Sequence, residues 1–335
     1  MPDSQANAAP ERPRGRLPEW ASLLLRVGVT VALMVLVLRG VEWPALLAKL
    51  EGCDWRWWFV AFATSLATQV IAGIRWASLA RPIGFAFSLG TFVWRFFEGQ
   101  FFSLCLPSSI GGDVVKAYRL ANSTQGRLLA GCTVLADRLT GLAALGVLAG
   151  TALAADEFTL GTGAALALGA ALLAVCLGFF WMIVGSLDRV LSLIPEQHAA
   201  RQFIARLLPY QQRPSLVTYA VIWSLFVQMG GAATVAFVAR GLGVALPMSL
   251  WFAVVPLIAL AMVLPISING VGVREGGLAF LLRPAGVPQD TAVAIGLLWF
   301  LCTILAGLIG GLLFMLDRQQ DASRLVSMSQ PNAEH

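Results

Sequence analysis

Charged side chains are rare in this chain, and those that interrupt its apolar runs are the first candidates for chemistry. They are Arg95 with Glu98, then Asp113, Lys116 and Arg119, then Asp137 beside Arg138, and Arg274 beside Glu275. On insertion scales a charge at the centre of a membrane helix costs roughly 2.5–3.5 kcal/mol, so each needs a partner or a wet cavity. Arg95 and Glu98 stand three apart, a spacing that lets them pair on one helix face. Asp137 and Arg138 are adjacent and point about 100° apart on a helix, so they reach different neighbours. These residues read either as ion pairs inside a helix bundle or as a polar path along which a headgroup or proton moves.

Two segments carry the rest of the candidate chemistry. Leu106–Ala121 reads LPSSIGGDVVKAYRLA and Leu264–Ala279 reads LPISINGVGVREGGLA; without gaps, eight of sixteen positions are identical, and Lys116 faces Arg274. Pro107 and Pro265 cannot continue a helical hydrogen-bond ladder. Gly111, Gly112, Gly270 and Gly272 permit a tight reversal, and Ser108, Ser109, Asp113, Ser267 and Asn269 suit the start of the helix that follows. A helix N-terminus offers free N–H groups and partial positive charge, a seat for a phosphate or carboxylate. Two such N-termini, with Lys116 and Arg119 in one copy and Arg274 in the other, would make a pseudo-symmetric anion site. The same residues also serve as plain helix caps and topology anchors, and the sequence leaves that alternative open.

The elements that must position these residues follow from composition. Of 335 residues, 58% are hydrophobic and 12% charged, against about 25% charged in soluble globular proteins, and the mean hydropathy is +0.77. The class is an all-α polytopic membrane protein. Full-length candidate helices are Trp20–Val41, Trp57–Ile74, Leu128–Ala154, Gly161–Val184, Ser215–Val238 and Asp290–Leu316. Phe85–Leu106 and Met248–Leu264 run into the two broken segments. The first of these has 22 residues, about 33 Å as helix and long enough to cross. The offset of 158 residues between the broken segments also relates the helices flanking them, so the chain divides into repeat A (about 57–154) and repeat B (about 215–316). Matching interruptions in two halves point to a transporter's binding site. Residues 1–18 form a basic tail, 19–318 one transmembrane domain, 186–214 an interfacial amphipathic loop and 319–335 a second tail. If both broken segments are re-entrant, Arg75, Arg81, Lys116, Arg119 and the arginines of the 186–214 loop fall on the side of both termini, as the positive-inside rule requires. The expected architecture is therefore about six transmembrane helices plus two opposed re-entrant helical hairpins, an inverted repeat with both termini cytosolic in a bacterial-type inner membrane.

Several function classes are excluded. The net charge is +5, but 21 of 23 basic residues are arginines set singly or in pairs between apolar runs, a topology and headgroup pattern rather than a nucleic-acid surface. Cys53, Cys105, Cys132, Cys176 and Cys302 show no C-x-x-C spacing, and only His198 and His335 are histidines. No metal site, cofactor, catalytic triad or Walker A motif is therefore expected.

LPSSIGGDVVKAYRL, the Asp137–Arg138 pair and LPISINGVGVREGGL together resemble the lysylphosphatidylglycerol synthase transmembrane-region family, often called flippase-like. The resemblance covers nearly the whole chain after residue 20. It implies lipid transport by a stand-alone member, with membrane lipids (a phospholipid, hopanoid or polyprenyl-linked substrate) as partners. The aminoacyl-transferring enzymes of this family carry a further soluble domain, so the resemblance argues against synthase activity. Lys116 stands where arginine is common, which keeps the charge but loses bidentate phosphate binding. The expected function is movement of a lipid with an anionic or zwitterionic headgroup between leaflets. The alternatives are an integral-membrane enzyme acting on a lipid-linked substrate and an accessory subunit of a lipid synthase. A second copy of the chain or a lipid-synthesis enzyme remain open as protein partners.

Overall fold

A computed structural model describes residues 19–106, 111–121, 123–155, 185, 187–195, 197–198, 201, 204–264 and 266–329. Among these residues the chain is helical and contains no strand. The helices are α1 (Glu19–Leu38), α2 (Trp43–Glu51), α3 (Trp55–Ala80), α4 (Leu89–Cys105), α5 (Gly111–Leu120), α6 (Thr124–Ala155), α7 (Leu187–Leu193), α8 (Leu208–Gln212), α9 (Pro214–Gly241), α10 (Met248–Val263), α11 (Val273–Leu282) and α12 (Gln289–Ser329). Four stretches are long and apolar enough to cross a membrane: Trp55–Ile83, Gly126–Thr151, Pro214–Gly241 and Gln289–Asp317. A fifth is available if Arg26–Leu38 and Trp43–Glu51, bent by 88°, count as one. The expected helix Gly161–Val184 lies outside the described residues. So does much of the expected amphipathic loop, of which α7 and α8 are described.

Local chemistry sets where the helices begin. The Asp54 carboxylate accepts from the Arg56 N–H at 3.0 Å and opens α3. Ser88 Oγ accepts from the Thr91 N–H at 3.1 Å, an N-cap that starts α4 at Leu89 rather than Phe85. The apolar run of 22 residues thus holds a helix of 17, about 25 Å long and shorter than a hydrocarbon core of about 30 Å. α10, with 16 residues, is equally short. α3 runs six residues past Ile74. That extension draws Arg75 into the bundle, where it is buried, rather than leaving it in a cytosolic loop as its sequence position suggested.

The packing repeats the sequence duplication. α3 packs against α9, α4 against α12, α10 against α6, α5 against α6 and α11 against α12. Exchanging the two halves maps this set of neighbours onto itself. The largest buried cluster joins α2, α3, α9, α10, α11 and α12 around Trp58, Trp251, Leu278 and Ile295. Trp58 Nε1 donates to the Leu298 carbonyl at 3.2 Å. A second cluster, with Trp76, Phe92, Leu120 and Val134, lies between α3, α4, α5 and α6. Trp76 Nε1 there donates to Thr133 Oγ1 at 2.9 Å.

Close contacts fix direction and depth. Along α12, Gly307 meets Leu104, Gly310 meets Phe97, Gly311 meets Phe101 and Asp317 meets Arg95, so α4 runs antiparallel to α12. α5 returns along α4: Gly112 lies against Gly99 and Ser103, and Arg119 reaches Glu98. In the second half Gly270 approaches Met262 and Gly277 approaches Ile258, so α10 and α11 are also antiparallel. Arg274 lies over Trp299 and Phe300 of α12. The reversal between α4 and α5 is therefore level with about Gly307, and that between α10 and α11 with about Trp299. These two positions bracket the midpoint of the 29-residue span Gln289–Asp317. The reversals approach it from opposite ends of α12. They touch where Asn269 Nδ2 donates to the Leu104 carbonyl at 3.3 Å.

The α4–α12 seam depends on glycine. A Cβ on Gly310 would collide with the Phe97 carbonyl, whereas nothing lies within 4 Å of one built on Gly231. Small residues of this kind let membrane helices approach backbone to backbone. Gly310→Ala is expected to destabilise the fold by about 1–3 kcal/mol, read as a lowered thermal unfolding midpoint in detergent, while Gly231→Ala leaves the midpoint in place.

Candidate functional site

Every charged residue singled out in the sequence and described here is held in an ion pair, and the pairs form four groups. On α6, Asp137 and Arg138 do reach different helices. Asp137 accepts from Arg75 Nε of α3 at 2.8 Å, and Arg75 Nη1 donates to Ser224 Oγ of α9 at 3.0 Å. Arg138 Nε donates to Asp113 Oδ2 of α5 at 2.7 Å. Neither Arg75 nor Ser224 stood among the expected site residues. Arg75 looked like a loop anchor, and Ser224 is a single polar residue in an apolar run.

The second group sits at the base of the α4–α5 reversal. Arg95 Nη1 donates to both Glu98 oxygens, at 2.9 and 3.0 Å, and to Asp317 at 2.8 Å. Arg119 Nη2 donates to Glu98 at 3.1 Å and is also ion-paired with Asp317. Two arginines and two carboxylates thus tie α4, α5 and the end of the α12 apolar span together with no net charge. Asp317 was not anticipated, because it lies just past the apolar run beside Arg318 and reads as an ordinary helix end. The usable signal was an acid in a position where basic topology anchors prevail.

The third group is at the tip of the same reversal. Asp113 is nearly buried and faces two cations. Its Oδ1 lies 2.8 Å from Lys116 Nζ, within ion-pair reach but without the geometry of a hydrogen bond, and its Oδ2 accepts from Arg138. Lys116 is buried, with Nζ 4.6 Å from the centre of the Phe96 ring and 5.9 Å from that of Trp76. Its stem fills the space beside Gly99. Arg138 differs from all the others: its side chain is 50% exposed. It also sits at the midpoint of the span Gly126–Thr151. Gly111 and Gly112 begin α5 at this point, while Ser109 lies outside the described residues.

The fourth group, in the second half, is closed. Arg274 donates to Glu275 Oε1 through Nη2 at 2.7 Å and Nε at 3.0 Å. The other Glu275 oxygen accepts from the Gly272 N–H at 2.7 Å. Both side chains are at most 2% exposed, and Arg274 stacks on Phe300 at 4.4 Å. Asn269, Gly270 and Gly272 all have positive φ, 51°, 71° and 83°, the conformation that lets the chain reverse here. Ser267 precedes a 3₁₀ turn, Ile268–Gly270, which the first copy lacks among its described residues. The second helix therefore restarts later in its repeat than the first. Arg274 is the second residue of α11 whereas Lys116 is the sixth of α5. The two cations thus keep the same sequence register but stand at different positions within their helices. The α11 N-terminus is engaged by its own Glu275, so the second half does not present the open N-terminus and cation that the sequence suggested.

Among the described residues, no group of three or more His, Cys, Asp or Glu side chains could hold a metal ion. Among the described pairs, the one that keeps a half-exposed guanidinium is Arg138 with the buried Asp113. Residues 23–311 match the family described as the lysylphosphatidylglycerol synthase TM region. The chain belongs to that family. Comparison with curated proteins finds no match. Family and fold together make this a multi-pass membrane protein linked to lipid metabolism.

The Arg75–Asp137 pair gives a direct test of how these charges are held. Removing one partner of a buried pair leaves an uncompensated charge and costs about 3–5 kcal/mol, whereas replacing both with apolar residues is often neutral. Asp137→Asn is expected to lower the thermal unfolding midpoint sharply, and the double substitution Arg75→Met with Asp137→Leu to recover most of the loss.

Proposed function

We propose that the chain moves a lipid with a charged headgroup between leaflets, without altering it chemically. The reading takes the two reversals as re-entrant hairpins that enter from opposite faces, in a bundle of six crossing helices with both termini cytosolic in a bacterial-type inner membrane. Three features support it. α4 and α10 are too short to cross alone. The two reversals touch each other, level with the middle of the span Gln289–Asp317. The outer ends of α4 and α5 lie beside Asp317, while Gly296, near the start of α12, lies against Glu275 of α11. The family, named for a lipid-linked membrane region, supports the substrate class.

The observation that carries the reading is Arg138, a half-exposed guanidinium at the midpoint of a membrane span. A charge facing acyl chains at that depth is strongly unfavourable, so such a residue marks a wet cavity or a substrate path. Non-helical backbone is tolerated at that depth where it lines such a cavity. In this mechanism the headgroup leaves one leaflet, docks on Arg138 between the hairpin tips and leaves toward the other leaflet, while its acyl chains stay in lipid. Asp113 holds Arg138 in place and Lys116 balances Asp113, and the exposed part of the guanidinium meets the phosphate. Arg95, Glu98, Arg119 and Asp317 hold the hairpin to α12 on the side it opens from.

Reconstitution tests this. Proteoliposomes with fluorescent phosphatidylglycerol in both leaflets are treated with an impermeant reductant that bleaches only the outer one. The parent protein is expected to expose the inner pool to bleaching. Arg138→Gln is expected to slow that phase about tenfold, the loss of a charge-assisted hydrogen bond worth about 1.5–3 kcal/mol. Equal bleaching with and without the parent protein would refute the proposal.

A further inference from the structure

The ion network at the base of the first hairpin is built unevenly. Glu98 is its inner member: the side chain is 1% exposed, and both of its oxygens accept from Arg95 and from Arg119. Asp317 is the outer member. Its side chain is 23% exposed, and both arginines meet it at a single oxygen, Oδ2. Arg119 is held a second way, with its guanidinium carbon 5.2 Å from the centre of the Phe314 ring. With Asp317 turned away, Glu98 and Phe314 would still hold the two guanidiniums side by side, now with one uncompensated positive charge.

The depth of this group suits a phospholipid phosphate. The apolar span that ends at Asp317 has 29 residues, about 43 Å of helix, which matches the roughly 40–45 Å of a bilayer with its headgroups. Asp317 therefore stands at headgroup level. The scaffold itself does not call for these charges. The second hairpin has Ala253, Pro256 and Gly277 at the corresponding places and packs on α12 through Gly296, Trp299 and Phe300.

We propose that Arg95 and Arg119 form a loading site for the phosphate of a net-anionic phospholipid, and that Asp317 occupies this site until the lipid arrives. A phosphodiester carries one negative charge, as Asp317 does, and offers two unbridged oxygens, one for each guanidinium. The exchange keeps the group neutral, and the released Asp317 carboxylate turns to the water among the headgroups. The site exists at one end of the bundle, so loading takes place from one leaflet. The proposal rests on the transport reading for where the lipid goes next, but the exchange itself is a binding event.

The test is lipid binding to the purified full chain in phosphatidylcholine nanodiscs, read by native mass spectrometry. Phosphatidylglycerol and diacylglycerol of matched chains are titrated separately. Asp317→Asn, which removes the competing charge, is expected to tighten phosphatidylglycerol binding about tenfold and to leave diacylglycerol binding unchanged. Adding Arg119→Gln should abolish the gain. A second measurement uses the unaltered protein: a water-soluble carbodiimide with an amine nucleophile labels accessible carboxylates. Labelling at Asp317 is expected to rise when phosphatidylglycerol enters the disc. Weaker or unchanged phosphatidylglycerol binding by folded Asp317→Asn protein would overturn the proposal, since a purely structural carboxylate gives that result. Labelling that does not rise would overturn it too. Displacement of the lipid by millimolar inorganic phosphate would assign the site to a soluble anion and overturn the lipid as its ligand. Exchange by a protein that moves no lipid would sink the transport reading and leave the binding site standing.

Discussion

Backbone that stops being helical inside an apolar bundle must still satisfy its N–H and C=O groups, and the two reversals of this protein are built around that requirement. The two reversals meet the requirement with each other and with their neighbours. The Leu104 carbonyl, left over at the end of α4, accepts from Asn269 of the second reversal. The Ile268 N–H donates to Thr30 Oγ1 of α1 at 2.9 Å, and the Gly272 N–H donates to Glu275. Each break is thus stable only with the rest of the bundle in place. α1, which lies outside the repeat, takes part by covering the second reversal, where Leu33 packs on Gly272 and Val37 on Gly276.

Duplication gave the chain two similar devices, and the side chains have made them unequal. In the second half the cation, its carboxylate and the helix N-terminus cancel one another inside an apolar wall of Trp299 and Phe300. In the first half one carboxylate, Asp113, serves two cations, one of which is half exposed. The network at the base is one-sided as well. At the repeat offset of 158, the places of Arg95, Glu98 and Arg119 are taken by Ala253, Pro256 and Gly277. A pseudo-symmetric scaffold therefore carries a polar, ion-tied hairpin on one side and an apolar one on the other. That inequality is why the proposed function assigns the headgroup contact to the first half.

Much of this was legible in the sequence, and the exceptions have physical causes. The five described candidate helices, the duplication and the two Pro/Gly breaks follow from hydropathy and a single offset. The divergence of Asp137 and Arg138 to different helices follows from helical geometry. The start of α4 was misjudged because Phe85 and Phe87 extend the apolar run, while the Ser88 cap decides where the helix begins. Lys116 and Arg274 share a sequence register but not a helical position, because α5 begins at Gly111 and α11 only at Val273, after the 3₁₀ turn Ile268–Gly270. Arg75 and Asp317 were missed because a charge at the end of an apolar run looks the same in sequence whether it faces water or a buried partner. Their pairings join residues 62 and 222 positions apart, a separation at which only the folded chain identifies the partner.

In the proposed transport cycle a headgroup is received between the hairpin tips, against Arg138. A single-particle cryo-electron microscopy map of the full chain in phosphatidylglycerol nanodiscs tests it most directly. Phosphate density is expected within hydrogen-bonding distance of the Arg138 guanidinium, halfway between the two headgroup layers, with both ends of the α4–α5 hairpin on one face. Continuous acyl-chain density across Arg138, with α4 and α5 emerging on opposite faces, would contradict it.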